Sequence, residues 1–176
     1  MNKIELEKTH QRIKPYVHNT PVLTSQIINK LCDAEVYFKC ENFQKMGAFK
    51  MRGAVNAILC LNKEQKSKGV VTHSSGNFAQ ALSLASKYLD VDAYIVMPKN
   101  APKVKKAAVR SYGGIIIESD STITARETMA QKIQNEKGAT FIHPSNDNQV
   151  IYGQGTAAIE LLKEHDDLDY IMAPIG

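Results

Sequence analysis

The stretch KMGAFKMRGA, residues 45–54, sets Lys50 directly after Phe49 and shortly before Gly53 and Ala54. Its neighbours are apolar or small, which argues for a crowded amine. Removing an ammonium from water favours its neutral form, so such a lysine has a lowered pKa and becomes a nucleophile for a carbonyl carbon. An exposed lysine on the first turn of a helix is the plainer alternative. A second stretch, SSGN at 74–77, follows the apolar run GVVTHS and opens a helical pattern. Ser74 and Ser75 are capping residues, and Gly76 lets the backbone approach a ligand. The first N–H groups of the helix then form an anion site, with a dipole contribution of ~0.3–1 kcal/mol at an exposed end. Plain capping needs only one of these residues, and the run of small polar residues points to a ligand. A third stretch, GQGTAA at 153–158, fits the loose G-x-G-x-x-A dinucleotide pattern. It follows a polar segment rather than a strand, and a suitable acidic residue ~20 positions on is not cleanly met. Its small residues read as a close helix contact rather than a nicotinamide or flavin site.

These stretches sit in an alternating pattern. Residues 34–43, 69–74, 92–98, 114–119, 139–144 and 168–176 read as strands. Residues 49–62, 77–89, 102–113, 124–138 and 149–165 read as helices, and residues 1–17 as an amphipathic helix. Strands separated by helices imply βαβ crossovers and an α/β fold of parallel, twisted sheets with flanking helices. In such sheets ligands lie outside the carboxyl ends of the strands. The loops after His73, Pro98, Pro144 and Pro174 are therefore the candidate places for chemistry.

The chain of 176 residues is one domain or a large part of two. Its composition, 43% hydrophobic and 23% charged, excludes a disordered or fibrous chain. The net charge of +4 is mild, and the densest basic run, Lys99 to Arg110, alternates with Ala and Val as a solvated helix face does. No aromatic platform accompanies it, so a nucleic-acid role is set aside. Cys32, Cys40 and Cys60 are odd in number and form no CxxC pair, so they read as small buried hydrophobes. No metal site is expected. No signal peptide is visible, and no apolar run reaches the ~18 residues of a membrane span, so a cytoplasmic location is expected.

The pair FK-x-RGA and SSGN, followed by HPSND (143–147) and YGQGT (152–156), resembles the fold-type II pyridoxal-phosphate enzymes. The closest group is the serine/threonine dehydratases and serine racemases. The resemblance runs from TPVLTS (20–25) to the closing APIG. It implies that Lys50 carries pyridoxal 5'-phosphate as an imine and acts as base on one face of the substrate Cα. Phe49 would pack near the cofactor ring. Ser74, Ser75, Gly76 and Asn77 would take the carboxylate of a small amino-acid substrate, and Asn77 would also bond the cofactor's phenolic oxygen. Ser75 matches the position that serves the opposite face in racemases. Phe78 stands where the family usually has histidine beside the substrate, and Ala48 where a small polar residue often precedes the Phe-Lys pair. A β-replacement synthase of the cysteine-synthase kind is the alternative inside the fold, but Met51 after the lysine and the loop SSGNF favour the dehydratase and racemase branch.

Family members are much longer, so the resemblance implies an amino-terminal part. Residues 1–67 and 147–176 would belong to the large cofactor domain and 68–146 to the small one. Gly176 would be the first glycine of the phosphate loop, and the full-length form would be a homodimer. A terminal strand with no neighbour would leave IMAPI as an unpaired apolar edge. The expectation is a truncated chain with little activity alone, or else a non-catalytic remnant serving as an interaction module.

Overall fold

The structure, a computed structural model, describes residues 2–173. Helix α1 (Lys3–Ile13) starts at Asn2, whose side chain accepts the Glu5 N–H at 2.8 Å. Two short strands, β1 (Val22–Thr24) and β2 (Tyr37–Lys39), flank helix α2 (Gln26–Cys32) and pair antiparallel, with Val22 opposite Lys39. Helices α3 (Lys50–Leu59) and α4 (Lys63–Lys68) lead into an alternating run: β3 (Val70–His73), α5 (Asn77–Leu89), β4 (Ala93–Pro98), α6 (Lys103–Ser111), β5 (Ile115–Ser119), α7 (Ile123–Lys137), β6 (Thr140–Phe141) and α8 (Asn148–Glu164). The last four strands form one parallel sheet in the order β5-β4-β3-β6. The expected α/β fold with flanking helices is present, and the parallel sheet follows from β-branched runs separated by helix-forming ones.

Helix α3 is the keystone of the packing. Every residue from Met51 to Ile58 is buried. Such all-round burial needs neighbours on all sides, and α3 packs on α5, α8 and α1. The α3–α8 crossing is close because it is glycine on glycine: a Cβ on Gly153 would lie 2.5 Å from Gly53 Cα and 2.6 Å from the Arg52 carbonyl oxygen. The small residues of GQGTAA therefore serve helix packing.

Several expectations change. Residues 168–173 form no strand; among the described residues none lies alongside them, and a strand exists only by pairing. Tyr170 and Met172 stand 83% and 90% exposed there. Gly176 and the loop after Pro174 lie outside the described residues. The strand expected over 34–43 is confined to Tyr37–Lys39, because residues 41–43 turn into a short 3-10 helix. The cysteines are not buried hydrophobes: Cys32 and Cys60 are exposed and Cys40 is half-buried. Cys32 ends a helix with no buried residue, and Cys60 follows the last turn of α3, where Arg12 donates to its sulfur at 3.2 Å. Within the basic run, Lys106 is buried rather than solvated; its Nζ donates to Glu118 and to the Lys99 carbonyl, each at 2.7 Å. Among the described residues no helix is long and apolar enough to cross a membrane.

Candidate active site

The backbone before Lys50 is held in an unusual shape. Met46 (φ 57°) and Gly47 (φ 78°) are consecutive left-handed residues that turn the chain into α3. A left-handed non-glycine residue costs roughly 1–2 kcal/mol and persists only where its surroundings fix it. Gln44 supplies that fixing. Its buried amide mimics a peptide group, accepting the His18 N–H at 2.8 Å and donating to the His18 carbonyl at 2.8 Å, and it also accepts the Lys45 N–H at 3.0 Å. On the far side of α3, Arg52 forms charge-assisted bonds at 2.7–2.8 Å to both oxygens of Glu41 and both of Glu160. The first turn of α3 is thus tied to the segment before it and to α8.

Lys50 is the first residue of that turn. Its Nζ donates to the Pro144 carbonyl at 3.2 Å and lies 5.0 Å from the centre of the Phe49 ring. Burial pushes its pKa below the ordinary lysine value of 10.5. A lysine whose folded pKa is lowered makes the unfolded chain bind more protons between the two values, so stability rises with pH through that window, up to 10.5. At neutral pH the full cost of the half-buried charge is present. Lys50→Met is therefore expected to raise the apo-protein's melting temperature at pH 7, with the gain shrinking as pH rises into the window. Thermal melts at several pH values read this directly.

The loop after β3 faces the same rim. Ser74 Oγ accepts the Gly76 N–H at 3.4 Å. Neither serine caps α5; Gly76 occupies the cap position, and among the described residues no side chain bonds the first N–H groups of the helix. The expected serine cap is thus corrected, and the anion-binding groups are left open. Among the described residues, a Cβ built on Gly76 would meet no atom within 4 Å, so the loop stands open to that side. Phe78, expected beside the substrate, is 2% exposed and packs in the core with α5's other apolar residues, so its ring offers no surface to a ligand.

Sheet topology links the lysine to this loop. β3 and β6 are parallel neighbours, so the residues after them share one rim. The His73 ring stacks on Phe141 with centroids 5.3 Å apart and meets the edge of His143 at 5.6 Å. Ser74 follows His73, and Pro144, which holds the amine, follows His143. Burial and the neighbouring His143 hold the pKa of His73 below its ordinary value. The motif HPSND by itself assigns its histidine no role, and no local spacing marks Gln44 or Arg52 as supports of the lysine turn.

The residues present fit an aldehyde cofactor. The amine is desolvated and bonded to a carbonyl rather than a carboxylate. Uncapped N–H groups and open space lie at the neighbouring helix start. A lysine and an open helix N-terminus on the carboxyl rim of a parallel sheet are where an α/β scaffold binds an anionic ligand. The chain belongs to the pyridoxal-phosphate dependent enzyme family, whose model matches residues 13–176. That family's cofactor is pyridoxal 5'-phosphate. The chain is 53% identical to a serine racemase of Arabidopsis thaliana over 98% of its own length and 52% of the relative's. It is 50% identical to a beta-hydroxyaspartate dehydratase of Paracoccus denitrificans, over 95% of this chain and 53% of that one. The solved serine racemase of Dictyostelium discoideum superposes with a TM-score of 0.91 at 49% identity, covering 94% of this chain and 54% of that one. A solved threonine deaminase superposes at 0.88 with 39% identity, covering 97% of this chain and 54% of that one. The chain spans about half the length of these relatives.

Proposed function

We propose that this chain is the lysine-bearing part of a pyridoxal-phosphate enzyme acting on a small β-hydroxy amino acid. The reactions are racemisation of serine and elimination of the β-hydroxyl of L-serine or L-threonine, giving a 2-oxo acid and ammonia. The observation that carries the reading is the desolvated Lys50 amine on the rim it shares with the Ser74–Asn77 loop. Similarity to a serine racemase and to a beta-hydroxyaspartate dehydratase supports a hydroxy amino acid over a thiol-acceptor reaction.

Bound pyridoxal phosphate supplies an electron sink for the bond broken at Cα. The chain's residues do the rest. Lys50 Nζ, with its lowered pKa, takes and returns the Cα proton on one face. Ser75 Oγ serves the other face, which racemisation requires. The open N–H groups at the start of α5, with Ser74 and Gly76, orient the substrate carboxylate. Phe49 and Asn77 would hold the cofactor beside Lys50. In this reading residues 68–146 form the small domain, and 1–67 with 147–176 form part of the large one. The whole enzyme works as a homodimer in the cytoplasm.

Borohydride reduction of the chain with pyridoxal phosphate, followed by peptide mapping, tests the reading. The expected result is a phosphopyridoxyl group concentrated on Lys50. Label spread evenly over exposed lysines such as Lys103 and Lys105 would sink it. Chiral chromatography after incubation of the holoenzyme with L-serine then reads D-serine and pyruvate.

A further inference from the structure

Between β6 and α8 the chain makes a tight turn built around a histidine. His143 Nδ1 accepts the Ser145 N–H at 3.1 Å and the Asn146 N–H at 2.8 Å, with Ser145 Oγ at 3.5 Å. A backbone N–H can only donate, so Nδ1 carries a lone pair and the ring proton sits on Nε2. The same pattern recurs four residues later. Asp147 Oδ1 accepts the Gln149 N–H at 2.8 Å and the Val150 N–H at 3.0 Å, again two and three residues ahead. His143 thus does with a ring nitrogen what Asp147 does with a carboxylate oxygen.

Pro144 lies inside this turn. It has no N–H and a fixed φ, so its carbonyl is its one backbone hydrogen-bonding group. That carbonyl takes the Lys50 amine at 3.2 Å. The direction in which it points depends on how residues 143–146 are closed, and the His143 Nδ1 bonds close them. The ring is in turn wedged edge-on against Phe141 at 6.1 Å and His73 at 5.6 Å.

We propose that His143 is a positioning residue for Lys50: its Nδ1 closes the turn that presents the Pro144 carbonyl to the Lys50 amine. The proposal rests on the reading of Lys50 as the cofactor-bearing amine and names what holds that amine in place. His143 acts on the amine through the turn.

Two substitutions separate the acceptor from the ring. His143→Phe keeps an aromatic ring against Phe141 and His73 but has no acceptor. His143→Asn loses the ring but keeps a side-chain oxygen suited to the same two N–H groups. The readout is the pH profile of Lys50 reductive methylation by formaldehyde and cyanoborohydride, followed by peptide mass spectrometry with N-acetyl-lysine amide as standard. In the parent the Lys50 midpoint should fall below that of the standard. In His143→Phe the amine leaves Pro144 for water, burial no longer disfavours its charged form, and the midpoint moves toward the standard, lowering the unprotonated fraction at a given pH by about threefold. His143→Asn should keep the parent profile. A parent-like profile in His143→Phe, or an equal shift in both variants, overturns the proposal. Methylation needs no pyridoxal phosphate, so failed cofactor trapping at Lys50 counts against the functional reading alone.

Discussion

Arg52→Met is expected to lower the unfolding free energy by about 3–5 kcal/mol, the usual cost of removing one partner from a buried ionic network. The Arg52 side chain is 0% exposed, and its guanidinium is shared between two carboxylates. Nε and Nη2 meet Glu41 at 2.8 Å each, and Nη1 and Nη2 meet Glu160 at 2.7 Å each. Thr20 and Lys39 extend the network, with Thr20 Oγ1 bonded to Glu41 at 2.6 Å and Lys39 Nζ to Glu160 at 2.9 Å. Without Arg52, Lys39 at 2.9 Å and the His10 ring at 3.5 Å do not replace the paired guanidinium bonds to the buried Glu160. Burial by itself pushes the Glu160 carboxyl upward, but hydrogen bonds from Arg52 and Lys39 outweigh it and hold the pKa below the ordinary 4.5. Its contribution to stability is therefore present above the unfolded value and lost as pH falls through the folded one. Removing Arg52 raises the folded value, so acid unfolding of Arg52→Met should begin at a higher pH than in the parent. Arg52→Lys keeps the charge but loses the planar fork, and should fall between the two. Urea unfolding followed by circular dichroism at neutral and mildly acidic pH gives the ordering. A loss below ~1 kcal/mol for Arg52→Met would place this network among ion pairs of surface strength.

The sequence carried the alternation of strands and helices openly, because β-branched runs such as VVTH and IIIES are short and bounded by helical patterns. It also carried the crowded lysine: the residues around Lys50 that suggested desolvation are the ones that α3 buries. What it hid depends on distance along the chain. Gln44 meets His18 across 26 residues, and Lys50 meets Pro144 across 94. No local spacing announces either contact. The misread serines illustrate a different limit. Ser74 and Ser75 have capping chemistry, but Gly76 takes the cap position, so the helix start stays open for a ligand. The segment at 168–173 shows a third limit: high strand propensity yields no strand where, among the described residues, no strand pairs with it. Cys32 and Cys60 stay exposed although their composition suggests burial, because burial belongs to the helix face and both sit where their helices run out.

Gly153→Ala is expected to cost about 1–3 kcal/mol, the range for overpacking a well-packed interior. A methyl group is small, but the atoms it meets cannot step aside. The new Cβ would lie 2.5 Å from Gly53 Cα, 2.6 Å from the Arg52 carbonyl oxygen and 2.8 Å from the Arg52 carbonyl carbon. All three belong to the α3 backbone, so relief requires α3 and α8 to separate. Separation pulls on the bonds that cross this interface: Arg52 to Glu160 at 2.7 Å, Asn56 Nδ2 to the Gln149 carbonyl at 2.8 Å, and the Gly53 N–H to Gln154 Oε1 at 3.2 Å. Lys50 leads α3, so its amine moves with the helix and away from Pro144. Gly76→Ala is the matching control. A Cβ there meets nothing within 4 Å, so stability should change little. Thermal and urea unfolding give the stability difference between the two variants. The pH profile of Lys50 methylation shows whether strain at the helix crossing reaches the amine. A stable Gly153→Ala with an unchanged Lys50 profile would mean that α8 can retreat alone, leaving α3 held by α1 and α5.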